Sequence, residues 1–134
     1  MGSYRSGFNE DSLRVKTYGG LPPSKINQLL LEFSAKHINP NRPDVPPYDW
    51  ATYHDNSSSS TNIGELQEEI VFDNGIIYFG QWAYGEKNGK GVQVWPDGSK
   101  FEGNWKNGQA NGKGRLIHAD GDVYFGDWVE DKAQ

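Results

Sequence analysis

No cysteine occurs in the chain, which excludes disulfides and any zinc site with thiolate ligands. No apolar run reaches the roughly 18 residues of a membrane-spanning helix. The first 15 residues hold no apolar segment, so a secretory leader is not expected and the protein reads as intracellular rather than secreted. Positive charge is scarce as well: 13 basic residues face 18 acidic ones, a net charge of −5. Residues 68–134 alone carry 7 basic and 11 acidic side chains. A surface of that sign repels nucleic-acid phosphate and anionic lipid at long range, and nucleic acid is not an expected partner.

Groups suited to catalysis are equally thin. His37, His54 and His118 fall in unrelated contexts, without the convergence a metal site needs. No Ser/His/Asp arrangement has a nucleophile elbow around it. Glu68-Glu69 and Glu130-Asp131 sit at expected strand ends, where carboxylates discourage edge-to-edge pairing. The stretch from Gly85 to Gly91 looks faintly like a phosphate-binding loop. However, no Ser or Thr follows Lys90 and no helix starts there. We therefore expect no catalytic residue, no metal and no cofactor.

What is plentiful is glycine and aromatic side chains. Only 34% of residues are hydrophobic, yet 13% are aromatic and there are 17 glycines, so apolar area is concentrated in a few large rings. That suits a thin, elongated sheet better than a closed globule. At 134 residues the chain is one domain in length. Aromatic-x-Gly-x-Trp recurs at Tyr78–Trp82, Phe101–Trp105 and Tyr124–Trp128, at a constant spacing of 23 residues (101 − 78 and 124 − 101). Gly85, Gly89, Gly91 and Gly98 keep the same register with Gly108, Gly112, Gly114 and Gly121, as does Asp97 with Asp120. A fixed period of this length marks a supersecondary unit stacked on itself.

This skeleton resembles the MORN repeat family, whose unit runs Tyr-x-Gly-x-Trp, a Gly-bounded loop, Gly-x-Gly, then Asp-Gly. The resemblance covers about half the chain, residues 70 to 134. Residues 70–77 supply only the back half of a unit, with Asn74-Gly75 in the Asp-Gly slot, and the last unit stops before its Gly-x-Gly. The resemblance implies a non-enzymatic scaffold or interaction module in structures such as cilia, cytoskeleton or membrane-contact sites. It also implies association with phospholipid, and such units occur beside kinase and methyltransferase domains.

The expected fold class is mainly β: a single elongated antiparallel β-meander with an N-terminal extended arm and one amphipathic α-helix. Strands are predicted near 70–72, 77–83, 91–95, 99–105, 114–118 and 122–128. Asn74-Gly75, Asp97-Gly98 and Asp120-Gly121 form tight turns, since such turns need φ > 0. Gly85–Gly89 and Gly108–Gly112 read as longer turns. Alternation along a strand puts Tyr78, Gly80 and Trp82 on one face, and likewise Phe101, Gly103 and Trp105, and Tyr124, Gly126 and Trp128. Each glycine leaves a notch over which a ring from a neighbouring strand can lie. Gly91, Gly98, Gly114 and Gly121 complete the set of repeat glycines. Strand 122–128 is expected to be the last of the sheet, with an open outer edge inviting another strand.

Ahead of the sheet, residues 1–20 read as an extended arm and 21–39 as the helical segment. Residues 40–66 read as a Pro/Ser-rich extended linker leading to the sheet at 67–134. Ile26, Leu29, Leu30 and Phe33 recur at i, i+3, i+4 and i+7, giving the helix a docking stripe. Ser24 is its expected N-cap and the helix spans about Ser24 to His37. It docks on its own sheet or on a partner. Tyr48, Trp50 and Tyr53 are anchors on a segment too proline-rich to build a core.

The aromatic row Tyr78, Trp82, Trp95, Phe101, Trp105, Tyr124 and Trp128 carries two readings. It is either a thin core covered by the chain's own helix, or a groove receiving a partner segment, where Trp and Tyr act as hot spots. The leading function is an accessory subunit of a larger multi-protein assembly. The alternative is a membrane-associated adaptor with peripheral membrane contact. In that reading Gly2, in the Met-Gly-x-x-x-Ser pattern, is the lipidation candidate, and Lys87, Lys90 and Lys113 form a basic edge for phospholipid head groups.

Overall fold

Two kinds of reversal alternate along the second half of the chain and draw it into a sheet. Our computed structural model describes residues 17–53 and 64–134. Gly2, His54 and the serine run Ser57–Ser60 lie outside the described residues. The strands are β1 (Glu65–Leu66), β2 (Ile70–Val71), β3 (Ile77–Ala83), β4 (Glu86–Val94), β5 (Lys100–Lys106), β6 (Gln109–Ile117), β7 (Val123–Val129) and β8 (Lys132–Ala133). They form one antiparallel open sheet in the order β1-β3-β4-β5-β6-β7-β8, with β2 sharing the outer edge of β3. The sheet thus begins at Glu65, within the segment expected to be linker. The arm's end touches it too, since the Tyr18 amide donates to the Leu66 carbonyl at 2.7 Å.

The reversals at Asn74-Gly75, Asp97-Gly98 and Asp120-Gly121 are of the first kind. Only the glycine has positive φ: 88° at Gly75, 95° at Gly98 and 104° at Gly121. The Gly98 amide donates to the Trp95 carbonyl and the Trp95 amide to the Ser99 carbonyl, both at 2.9 Å. This is a type I turn closed by a bulged glycine. The carboxylate of Asp97 accepts the Ser99 amide at 2.8 Å, and Asp120 accepts the Asp122 amide at 3.0 Å. These bonds to Ser99 hold the Asp97 carboxyl below the usual carboxylate range. A depressed carboxyl stabilises the fold above its unfolded pKa, and that contribution fades as pH falls through the folded value. Asp97→Ala should therefore lower the melting temperature at pH 7, with a gap to wild type that narrows on acidification below about pH 4. Thermal melts between pH 7 and pH 2.5 check this.

The second kind of reversal corrects the expected longer turns at Gly85–Gly89 and Gly108–Gly112. The turn itself is two residues with φ positive at both: Tyr84-Gly85 (54°, 77°), Asn107-Gly108 (52°, 84°) and Glu130-Asp131 (51°, 70°). Such a turn matches the strand twist, so β4 and β6 start five residues earlier than predicted (86 against 91, 109 against 114). Gly89 and Gly112, with φ of 105° and 101°, lie inside those strands. They accompany shifts in register between Gly80 and Trp82 and between Gly103 and Trp105. The side chain of Gln81 fills the first irregularity by accepting the Lys90 amide at 2.8 Å. The same geometry at Glu130-Asp131 returns the chain as β8, so β7 is not the last strand. β8 pairs with Trp128 and Val129 and the Gln134 amide donates to the Asp127 carbonyl, leaving the β7 edge before Asp127 open among the described residues.

The helix α1 spans Pro23–Ala35, not Ser24–His37. Pro22, extended at φ −69° and ψ 155°, takes the N-cap position, and no side chain caps the helix. Pro23 stands in the first turn, where its missing N–H costs nothing. The Lys36 and His37 amides close the last turn on Phe33 and Ser34. Ile26, Leu29, Leu30 and Phe33 all pack into one cluster with Phe79, Val92 and Val94 of the sheet. Tyr48 and Trp50, only 3% and 2% exposed, belong to the same cluster, so the proline-rich segment lies on the sheet.

Candidate functional site

The aromatic row occupies the sheet face opposite α1. All seven of its residues belong to a second cluster, built on Tyr78, Phe101, Trp105, Ala110 and Trp128 with Trp82, Trp95 and Tyr124 packed against them. The reading in which the chain's own helix covers these rings is thereby overturned. Strand alternation explains the split: Tyr78 and Phe79 are neighbours and point to opposite faces.

A line of glycines crosses the sheet beneath the rings. Gly80 pairs with Gly91, Gly91 with Gly103, Gly103 with Gly114, and Gly114 with Gly126. Tyr78, Phe101 and Tyr124 each lie over the glycine two residues ahead on their own strand, and Tyr78 and Phe101 also lie over its partner on the next strand, Gly91 and Gly114. A Cβ built on Gly91 would meet Tyr78 ring carbons at 2.5 Å, and one on Gly103 would meet Phe101 Cζ at 2.9 Å. Gly91 and Gly114, for which no covering ring was expected, are the ones covered by a ring from the adjoining strand. For Gly80, Gly103 and Gly126 the expected ring from a neighbouring strand is corrected to a ring from the same strand.

The rings interlock edge to face. Tyr78 meets Trp82 at 5.3 Å and Trp105 at 5.4 Å, Phe101 meets Trp105 at 5.3 Å and Trp128 at 5.0 Å, and Tyr124 meets Trp128 at 5.5 Å. Each such pair adds to the burial of apolar area. The indoles are pinned from beneath: Trp105 Nε1 donates to the Gly91 carbonyl and Trp128 Nε1 to the Gly114 carbonyl, both at 3.1 Å. Trp82 Nε1 is buried without a partner among the described residues, because no glycine strand precedes its unit. Burial pushes the Tyr78 hydroxyl well above its ordinary range, and it donates to the Gln81 carbonyl at 3.0 Å.

A cavity of about 580 Å³ opens on this face over Trp95, Phe101, Trp105 and Trp128. Its rim is polar: Lys87, Asp97, Ser99, His118 and Asp131. Ala110 and Leu116 escaped sequence reasoning, and His118 and Asp131 were not placed at this face by it, because each replaces the residue that its position carries elsewhere in the repeat.

The three lysines expected to share a basic edge do not. Lys87 Nζ lies over the rings of Trp105, Tyr78 and Phe72 at 4.8, 5.4 and 5.5 Å. Lys90 Nζ instead reaches Asn27 of α1 at 2.7 Å, on the opposite face. Lys113 pairs with Asp127 at 2.9 Å. Burial lowers the pKa of both Lys87 and Lys90, with Asp131 opposing the shift at Lys87.

Residues 78–100 and 101–123 each match the family model described as MORN repeat. The chain carries two adjacent MORN repeats. No curated protein matches it. MORN repeats suggest a protein-binding or membrane-binding module. No helix among the described residues is long and apolar enough to cross a membrane.

Sequence reasoning also missed a polar cluster under α1. Glu102, 2% exposed, accepts Arg115 Nε at 3.0 Å, Arg115 Nη2 at 2.8 Å and Ser34 Oγ at 2.5 Å. The available signal was that Glu102 and Arg115 alternate with core positions on paired strands.

Proposed function

We propose that the chain is a non-enzymatic protein-interaction module that receives a segment of another protein on the aromatic face of its MORN repeats, as an accessory subunit of a larger assembly. The observation that carries this reading is the cavity over Trp95, Phe101, Trp105 and Trp128, on the face that the helix leaves free. Large rings in a pocket with a polar rim are the usual anchors of protein interfaces. The free part of the β7 edge, with Phe125 42% exposed beside Tyr53, offers a second contact by strand addition. Cytoskeletal, ciliary or organelle-membrane assemblies are the settings in which we place it. The adaptor reading, with a lipid on Gly2, ranks second, because Lys87, Lys90 and Lys113 are already engaged and face different ways.

Site-specific photo-cross-linking tests this. A photoreactive residue at position 116, beside the bowl, should give an adduct of one defined mass in cells expressing the full chain. One at position 31, on the exposed side of α1, should give none. Adducts from position 31 alone would move docking off the aromatic face.

A further inference from the structure

On the aromatic face the two MORN repeats differ in chemistry at one cage of rings. In the first, Lys87 extends into a cage formed by Phe72, Tyr78 and Trp105, and its ammonium donates to Gln93 Oε1 at 2.5 Å. Moving each residue by the 23-residue period gives Ala110 for Lys87, Trp95 for Phe72, Phe101 for Tyr78, Trp128 for Trp105 and Leu116 for Gln93. The second cage therefore keeps three aromatic walls and has lost both its lysine and the amide that held it. Trp95, Phe101, Trp128, Ala110 and Leu116 all line the open cavity.

We infer that the second cage is a receptor for the ammonium group of a lysine side chain from the docked partner, with Lys87 in the first repeat showing the occupied form of the same site. Aromatic faces attract a cation through the ring quadrupole, and the attraction grows as water is excluded. Charge at the rim favours the same guest. Asp97 and Asp131 both border the cavity, while the one cation there, Lys87, is already held by three rings and Gln93. Asp131 is fixed in place, since its carboxylate accepts the Ala110 amide at 2.6 Å. An anionic guest would be repelled by both carboxylates. A lysine's four-carbon stem lies against rings while its head stays polar, as Lys87 does.

This inference rests on the aromatic face being the docking surface, and its test is separate from the cross-linking. Blocked pentapeptides with one central lysine, norleucine or acetyl-lysine, flanked by glycines, are titrated into the ¹⁵N-labelled full chain. The indole N–H signals of Trp95 and Trp128 are followed. The lysine peptide should give saturable shifts at both, with the norleucine and acetyl-lysine peptides binding about tenfold more weakly. Ala110→Lys with Leu116→Gln rebuilds the occupied first cage in the second repeat and should abolish the shifts while keeping a dispersed spectrum. Should that pair not fold, Asp131→Asn, which keeps an acceptor for the Ala110 amide, should weaken the lysine peptide about threefold. Equal affinity for the norleucine peptide overturns the assignment of a cation. Absence of saturable shifts, or binding that survives the filled cage, overturns the site. In either case the docking reading stands or falls on the adduct at position 116.

Discussion

Gly103→Val should cost about 3–4 kcal/mol, enough to leave a domain of ordinary stability largely unfolded at modest denaturant. A Cβ at this position would sit 2.5 Å from the Gly114 Cα and 2.6 Å from the Lys113 carbonyl oxygen, both backbone atoms of the adjoining strand. Neither can swing aside as a flexible side chain would. The third obstacle, the Phe101 ring at 2.9 Å, is wedged between Trp105 and Trp128. Relief therefore requires strands β5 and β6 to part or the ring to leave the cluster, and either opens the whole aromatic ladder. Gly98 supplies the contrast. It also resists substitution, with φ of 95°, but nothing lies within 4 Å of its Cβ position. Gly98→Asn should cost less than about 1 kcal/mol, because Asn tolerates the left-handed region. Urea unfolding of both variants separates close approach from backbone conformation. Equal midpoints would sink the account of rings lying over glycine.

The repeat skeleton, the sheet and the existence of one docking helix were all legible in the residues, because rings, glycines and turn pairs recur in register. Four features were not legible. Gly85 and Gly89 look like the two ends of a loop, since glycine marks positive φ without saying whether a turn or a bulge needs it. The face taken by α1 was ambiguous because the sheet is apolar on both sides near Phe79, Val92 and Val94, and period two alone ranks neither face. On β5 and β6 the helix-side positions hold Lys100, Glu102 and Arg115, charged residues that are nevertheless buried. A charged residue reveals its burial only through partners distant in the chain, here Ser34, 68 residues before Glu102. The empty cage was hidden for a related reason. Ala110 is unremarkable until Lys87 shows what its position holds when filled.

Glu102→Ala should be the most damaging change on the helix side, at about 3–5 kcal/mol. The carboxylate binds Arg115 twice and Ser34 once, and Lys100 Nζ lies 3.9 Å away. Removing it leaves two buried cations, with side chains 8% and 11% exposed: Arg115 loses both of its bonds to the carboxylate, and Lys100 keeps only the Ser34 carbonyl at 3.1 Å. It also cuts one of the bonds between sheet and helix, that from Ser34 Oγ. Glu102→Met combined with Arg115→Met should recover most of the loss, since apolar side chains of similar volume carry no desolvation penalty. Lys100 gives the effect a pH signature. Burial already lowers its pKa, Glu102 pulls it back up, and Arg115 lowers it further. Without Glu102 the folded pKa falls further below the unfolded value of about 10.4. The unfolded chain then binds more protons, so stability of the variant rises with pH between the two values. The deficit of Glu102→Ala relative to wild type should shrink from pH 7 to pH 10, incompletely, because the bonds from Arg115 and Ser34 stay lost. Denaturant unfolding of the four members of the Glu102/Arg115 cycle at both pH values, with hydrogen exchange of the α1 amides, provides the measurement. A pH-independent loss below about 1 kcal/mol would mean that the cluster is solvated and that packing alone holds the helix.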